Sequence, residues 1–228
     1  MWPCQATDGN FSEPVIQAQH GRLAVFASGG GSNLRVLHEA CVSGDIDAEV
    51  VVVVSEHPDS GAVQFAKQNS IDVFIYSPVK TSDPAIHDDL LKAMQQTHSV
   101  NLICLAGFLK LVPPQVVQAY RRRILNIHPA LLPAFGGKGL YGLRVHEAVL
   151  KSGARFSGCT VHFVDEDYDS GPILAQACLN HPLSITPEQL AQLILREEHR
   201  LYIECVAAIV EGRVSWNANG VPLIWEAS

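Results

Sequence analysis

Leu23-Ala24-Val25-Phe26-Ala27 runs directly into Ser28-Gly29-Gly30-Gly31-Ser32-Asn33, and a helical pattern follows at Leu34, Leu37 and Cys41. The five apolar residues predict a strand buried on both faces, because a short unbroken apolar run ended by glycine suits the interior of a parallel sheet. Val36 and Ala40 widen the helical stripe, and Gly44 suits the end of that helix. Strand, glycine loop and helix are the first step of an alternation that continues along the chain.

The pattern repeats outward. Residues 49–55 predict a five-valine strand, 61–69 a short helix and 73–76 a strand. Residues 84–98 place Ile86, Leu90, Leu91 and Met94 on one helical face. A buried strand at 102–106, a helix opened by Pro113-Pro114 and a strand at 124–127 follow. Such alternation implies a doubly wound, mostly parallel sheet with right-handed crossovers. Residues 129–141, rich in Pro and Gly, predict a long surface loop, and 145–151 a helix. Two strands, 160–164 and 173–179, flank an acidic turn. Thr186-Pro187-Glu188-Gln189 is a capping box that opens a helix to about residue 210. Asn219-Gly220, between apolar segments, suits a hairpin. One domain over 21–228, after a loose tail at 1–20, is the simplest organisation.

Composition narrows the function. The chain has 228 residues, 47% hydrophobic and 17% charged, enough apolar content for a packed core. A net charge of −7 argues against a general nucleic-acid binder, while a locally cationic pocket for an anionic small molecule remains open. Six scattered cysteines include no C-x-x-C pair, which suits a reducing compartment and gives no zinc-knuckle pattern. No apolar run reaches membrane-spanning length. The first 20 residues hold Asp8 and Glu13 and no Lys or Arg, unlike a secretory signal or an Arg-rich transit peptide. The cytoplasm is the expected compartment, with a cleaved organellar precursor left open.

Three stretches carry chemistry. The glycines at 29–31 let backbone N–H groups approach a ligand at a helix N-terminus, the setting for a phosphate. A tight turn capped by Ser32 is the alternative, but it needs fewer glycines. In Asn126-Ile127-His128-Pro129, period two puts Asn126 and His128 on one side of a strand end. An amide for an oxyanion and an imidazole for proton transfer would then share a site. Asp165-Glu166-Asp167-Tyr168-Asp169 reads either as a solvated acidic loop or as the source of one carboxylate held against a histidine, raising its pKa.

The glycine loop, Leu105-Ala106-Gly107-Phe108-Leu109-Lys110, Asn126-Ile127-His128-Pro129-Ala130-Leu131-Leu132-Pro133 and Asp169-Ser170-Gly171-Pro172 together resemble the phosphoribosylglycinamide formyltransferase family. The resemblance runs from about residue 22 to 210, and Ala134-Phe135-Gly136-Gly137-Lys138-Gly139 looks most like its plant-type branch, which leaves a plastid open. It implies a single-domain, Rossmann-like formyltransferase fold. The activity implied is transfer of a formyl group from 10-formyltetrahydrofolate, as co-substrate, to 5-phosphoribosylglycinamide in purine synthesis, with no metal. The resemblance assigns catalysis to Asn126, His128 and Asp169, phosphate and ribose binding to Gly31, Ser32, Asn33 and Glu198, and folate binding to Leu109, Lys110, Leu111, Val112 and Asn126. His146 matches a second, supporting histidine. The family often has an Arg before the helix leading to Leu102; here Ser82-Asp83-Pro84-Ala85 stands there, with Lys80 or Lys110 as substitutes. Partners implied are these small molecules, with no nucleic acid or membrane and a homodimer left open. The same trio acting on methionyl-tRNA or water, and a non-enzymatic nucleotide-binding module, are the competing readings.

Overall fold

In the computed structural model, residues 17, 19–76, 85–182 and 184–226 are described. The expected tail falls almost wholly outside them, as do Lys80 and Ser82-Asp83-Pro84. The chain forms an α/β fold on a seven-stranded, mostly parallel sheet whose strands lie in the order Asp72–Ile75, Ala48–Ser55, Gly21–Phe26, Leu102–Leu105, Ile124–His128, Phe156–Phe163 and Ile173–Asn180, and clusters into two compact units, 20–126 and 127–226.

The first unit contains β1 (Gly21–Phe26), α1 (Ser32–Ser43), β2 (Ala48–Ser55), α2 (Gly61–Gln68) and β3 (Asp72–Ile75). It continues with α3 (Ala85–Lys92), β4 (Leu102–Leu105), α4 (Pro114–Ala119) and the start of β5 (Ile124–His128). The pairs β1–β2, β2–β3, β1–β4 and β4–β5 are all parallel. Leu23 to Phe26 and Leu102 to Cys104 are fully buried, which is why these strands read as unbroken apolar runs. The helix expected over 84–98 is α3 followed by a π-helical turn at Ala93–Thr97. Gly44 ends α1 at φ 86°, its N–H donating to Cys41 O. Since β1 lies between β2 and β4, strand order reverses there. The carboxyl ends of β1 and β4 flank the switch point where such sheets bind ligands.

The second unit contains α5 (Leu143–Ser152), β6 (Phe156–Phe163), β7 (Ile173–Asn180), α6 (Pro187–Val210), β8 (Val214–Trp216) and β9 (Pro222–Ile224). β6 and β7 are antiparallel, as are β8 and β9, whose loop holds Asn219-Gly220. β6 starts four residues before the expected strand. Ser157-Gly158 looks like a breaker, yet a Cβ at Gly158 would stand 1.9 Å from Ala177 O, so glycine is what lets β7 pair there. The capping box at Thr186 forms, with Gln189 N–H on Thr186 Oγ1 and Thr186 N–H on Gln189 Oε1.

Candidate active site

The glycine loop is packed against α2. Gly31 is the N-cap of α1 at φ 77°, and a Cβ there would meet Ala62 Cα at 3.0 Å. Ala62 N–H donates to Gly29 O at 3.1 Å. The left-handed backbone and the close helix both demand glycine at 31. Ser32 is therefore not the cap: it is the first helical residue, exposed, with Asn33 buried behind it. Ser28 turns inward, its hydroxyl 2.8 Å from either oxygen of buried Glu56 and accepting from Leu109 N–H at 3.0 Å. Its own N–H donates to Gly107 O at 3.2 Å. This ties the glycine loop to the segment after β4 at the switch point. In that segment Val112 is buried, while Leu109 and Leu111 are 45% and 46% exposed. Sequence reasoning missed Glu56; its place, just after a valine strand, is the signal that marks it.

Asn126 and His128 lie two apart on β5 and share a face by the pleat. Asn126 is half-buried and His128 buried. Pro129 follows, and the chain turns back so that His128 Nε2 lies 2.8 Å from Phe135 O. A carbonyl only accepts, so Nε2 carries the hydrogen. Nδ1 is 3.5 Å from Asp169 Oδ2, which also accepts Gly137 N–H at 2.8 Å. Phe135 and Asp169 both hold positive φ, 57° and 53°. The 129–141 loop is thus built into the site through its first half. Thr160 Oγ1 donates to Ala130 O and accepts Leu132 N–H, which fixes that half to β6.

The electrostatics correct one expectation. Asp169 does favour protonated His128, but burial outweighs it, and the His128 pKa lies below the usual value. Asp169 itself is held below the usual carboxylate range. Burial pushes it up, and the approach of His162, the charge of His128 and the Gly137 N–H overcome that. His162 is the second residue missed: its Nε2 is 3.7 Å from Asp169 Oδ1, in a strand whose neighbours are Val161 and Phe163. His146 is buried on α5 with Nδ1 unpartnered, and burial and then His128 lower its pKa. Glu198 is buried on α6, where its charge adds to burial in pushing the Cys159 thiol up to about 12. Asp169 also borders a cleft of about 370 Å³ with Leu132, Gly136, Gly137, Tyr168 and Gly171 in its walls. Among the described residues, no three His, Cys, Asp or Glu side chains are placed to hold a metal ion.

The acidic turn resolves into separate roles. Asp165 Oδ1 accepts from Ser170 Oγ at 2.7 Å and Asp167 N–H at 3.2 Å, so it closes the turn. Asp167 stays exposed, and Asp169 alone of the three reaches the histidines.

The arrangement can give or take a proton at a buried imidazole beside a carboxylate. Residues 21–206 match the family model described as formyl transferase. The phosphoribosylglycinamide formyltransferase, chloroplastic, of Arabidopsis thaliana is 50% identical over 219 residues, covering 95% of this chain and 73% of that one. The phosphoribosylglycinamide formyltransferase of Bacillus subtilis is 34% identical over 181 residues, covering 79% and 90%. The crystal structure of glycinamide ribonucleotide transformylase 1 from Symbiobacterium toebii superposes with TM-score 0.81 at 36% identity, covering 91% and 95%. From the family match over most of its length and these relatives, the chain belongs to the formyl transferase family, among the phosphoribosylglycinamide formyltransferases.

Proposed function

We infer that this chain transfers the formyl group of 10-formyltetrahydrofolate to the amine of 5-phosphoribosylglycinamide, giving N-formylglycinamide ribonucleotide for purine synthesis. The observation that carries it is the buried His128–Asp169 pair in a chain 50% identical to the Arabidopsis phosphoribosylglycinamide formyltransferase. The amine attacks the formyl carbon, a new C–N bond forms, and the bond from that carbon to the folate nitrogen breaks. The amine loses a proton and the folate nitrogen gains one. Asn126 is assigned to the oxyanion by donating its amide N–H, a contribution typically worth roughly 10²–10³ in rate. His128 is assigned to proton transfer. Burial makes it a weaker base and therefore a readier donor, and Asp169 keeps its charged form within reach.

Gly31, Ser32 and Asn33 are assigned to the phosphate, by close backbone approach at the start of α1. Glu198 is assigned to the ribose hydroxyls, and Leu109, Lys110, Leu111 and Val112 to the folate. The Arabidopsis relative is named as chloroplastic, which supports the plastid that the plant-type resemblance leaves open. The test is a steady-state assay with both substrates, with water and methionyl-tRNA as competing acceptors. Formylation of the ribonucleotide amine is the expected product; transfer only to water or tRNA overturns the reading.

A further inference from the structure

His162 lies on β6, two residues from Thr160 and on the same face, and is 2% exposed. Its Nδ1 is 2.9 Å from the carbonyl of Phe163, and its Nε2 is 3.7 Å from Asp169 Oδ1. On the other carboxylate edge, His128 Nδ1 is 3.5 Å from Oδ2, with its Nε2 on the carbonyl of Phe135. Carbonyl oxygens only accept, so the outer nitrogen of each ring carries a hydrogen. A neutral imidazole has one N–H. Each ring, when neutral, therefore turns a bare lone pair toward the carboxylate, and each contact becomes attractive only when a proton sits in it. Two such protons would place two cations on one carboxylate in a buried site, which desolvation opposes. One proton is the stable load, and two histidines compete for it.

We propose that His162 is a positioning residue for formyl transfer: it shares one proton with His128 across Asp169 and so sets how readily His128 gives its proton away. The inference rests on the assignment of His128 and Asp169 to the chemistry. In the transfer, His128 gives a proton to the departing folate nitrogen and regains one from the formylated amine; no bond to His162 is made or broken with substrate. The groups facing the cluster are Asp169 from the turn at 164–172, His128 from β5 and His146 from α5. β7 pairs Ile173 with His162 and brings no charge there. Glu198 of α6 acts on Cys159, which alternates to the other face of β6. Repulsion from His162 adds to the burial that disfavours charged His128.

His162→Gln keeps a donor and cannot titrate. Followed by ¹⁵N NMR over about pH 5 to 9 without substrate, His128 should take up its proton about 0.5 pH unit or more higher in the variant, because a like charge is gone. kcat should fall about 10-fold, with both KM values within about threefold and the kcat–pH profile moved the same way. An unmoved His128 titration in the folded variant overturns the proposal, and so does a change confined to KM. If the variant does not fold, His162→Asn takes its place, and an unmoved His128 titration in that variant overturns the proposal. These titrations need no substrate. A chain inactive in formyl transfer sinks the functional reading and leaves the proton-sharing result to be judged by itself.

Discussion

At the scale of single residues, Asp169 bears the heaviest load. Its two oxygens meet His128, His162 and the Gly137 N–H, and nothing else in the acidic turn does so. Asp169→Asn keeps the size and removes the charge. Turnover should fall by about 10²-fold, the scale of losing positioned acid–base assistance, with little change in either KM. The His128-dependent limb of the pH–rate profile should move to lower pH, because the group that favoured its proton is gone. Asp167→Asn, at an exposed position, should keep wild-type kinetics. Full turnover in Asp169→Asn would show that another carboxylate does the work. Asp165 is a poorer control, since its side chain closes the turn that carries Asp169.

Two elements can be tested separately. In the loop before α1, Gly31 combines positive φ with a 3.0 Å approach to Ala62. Gly31→Val should distort the loop, and the KM for the ribonucleotide should rise at least about tenfold more than the KM for the folate. Equal rises would argue against a phosphate role. The loop between β5 and α5 has a fixed half up to Gly137 and an exposed stretch that includes Lys138 and Tyr141. A saturating folate analogue should slow tryptic cleavage at Lys138 severalfold, because ordered backbone resists the protease. Cleavage at an unchanged rate would mean that this stretch does not close over the folate.

Over the whole molecule, the same groups shape stability against pH. His128 and His146 bind protons less readily folded than unfolded. The unfolded chain therefore takes up more protons as pH falls below the ordinary histidine value of about 6.5, and stability is lost on the acid side. Asp169 has a lowered pKa, so its contribution is present above about pH 3.9 and disappears as pH falls through its folded value. Both effects have one sign. Calorimetry should show Tm falling between about pH 7 and 5, then falling further below about pH 4. A Tm unchanged between about pH 7 and 5 would mean that these histidines are not buried as described.

Local pattern already specifies the parallel α/β order, the glycine loop, the capping box at Thr186 and the shared face of Asn126 and His128. Each of these follows from neighbours a few residues apart: apolar runs, period two, a cap three residues from its partner. The rest comes from contacts that exist only once the chain has folded. Gly158 lies inside a strand because β7 comes within reach of its Cα. Glu56 meets Ser28, and His162 meets Asp169, across separations that no local pattern encodes. The direction of the His128 shift also escaped the sequence, which shows a carboxylate partner but not the burial that outweighs it. Charge and periodicity are properties of residues, whereas desolvation belongs to the packed surroundings and appears only when the chain has folded.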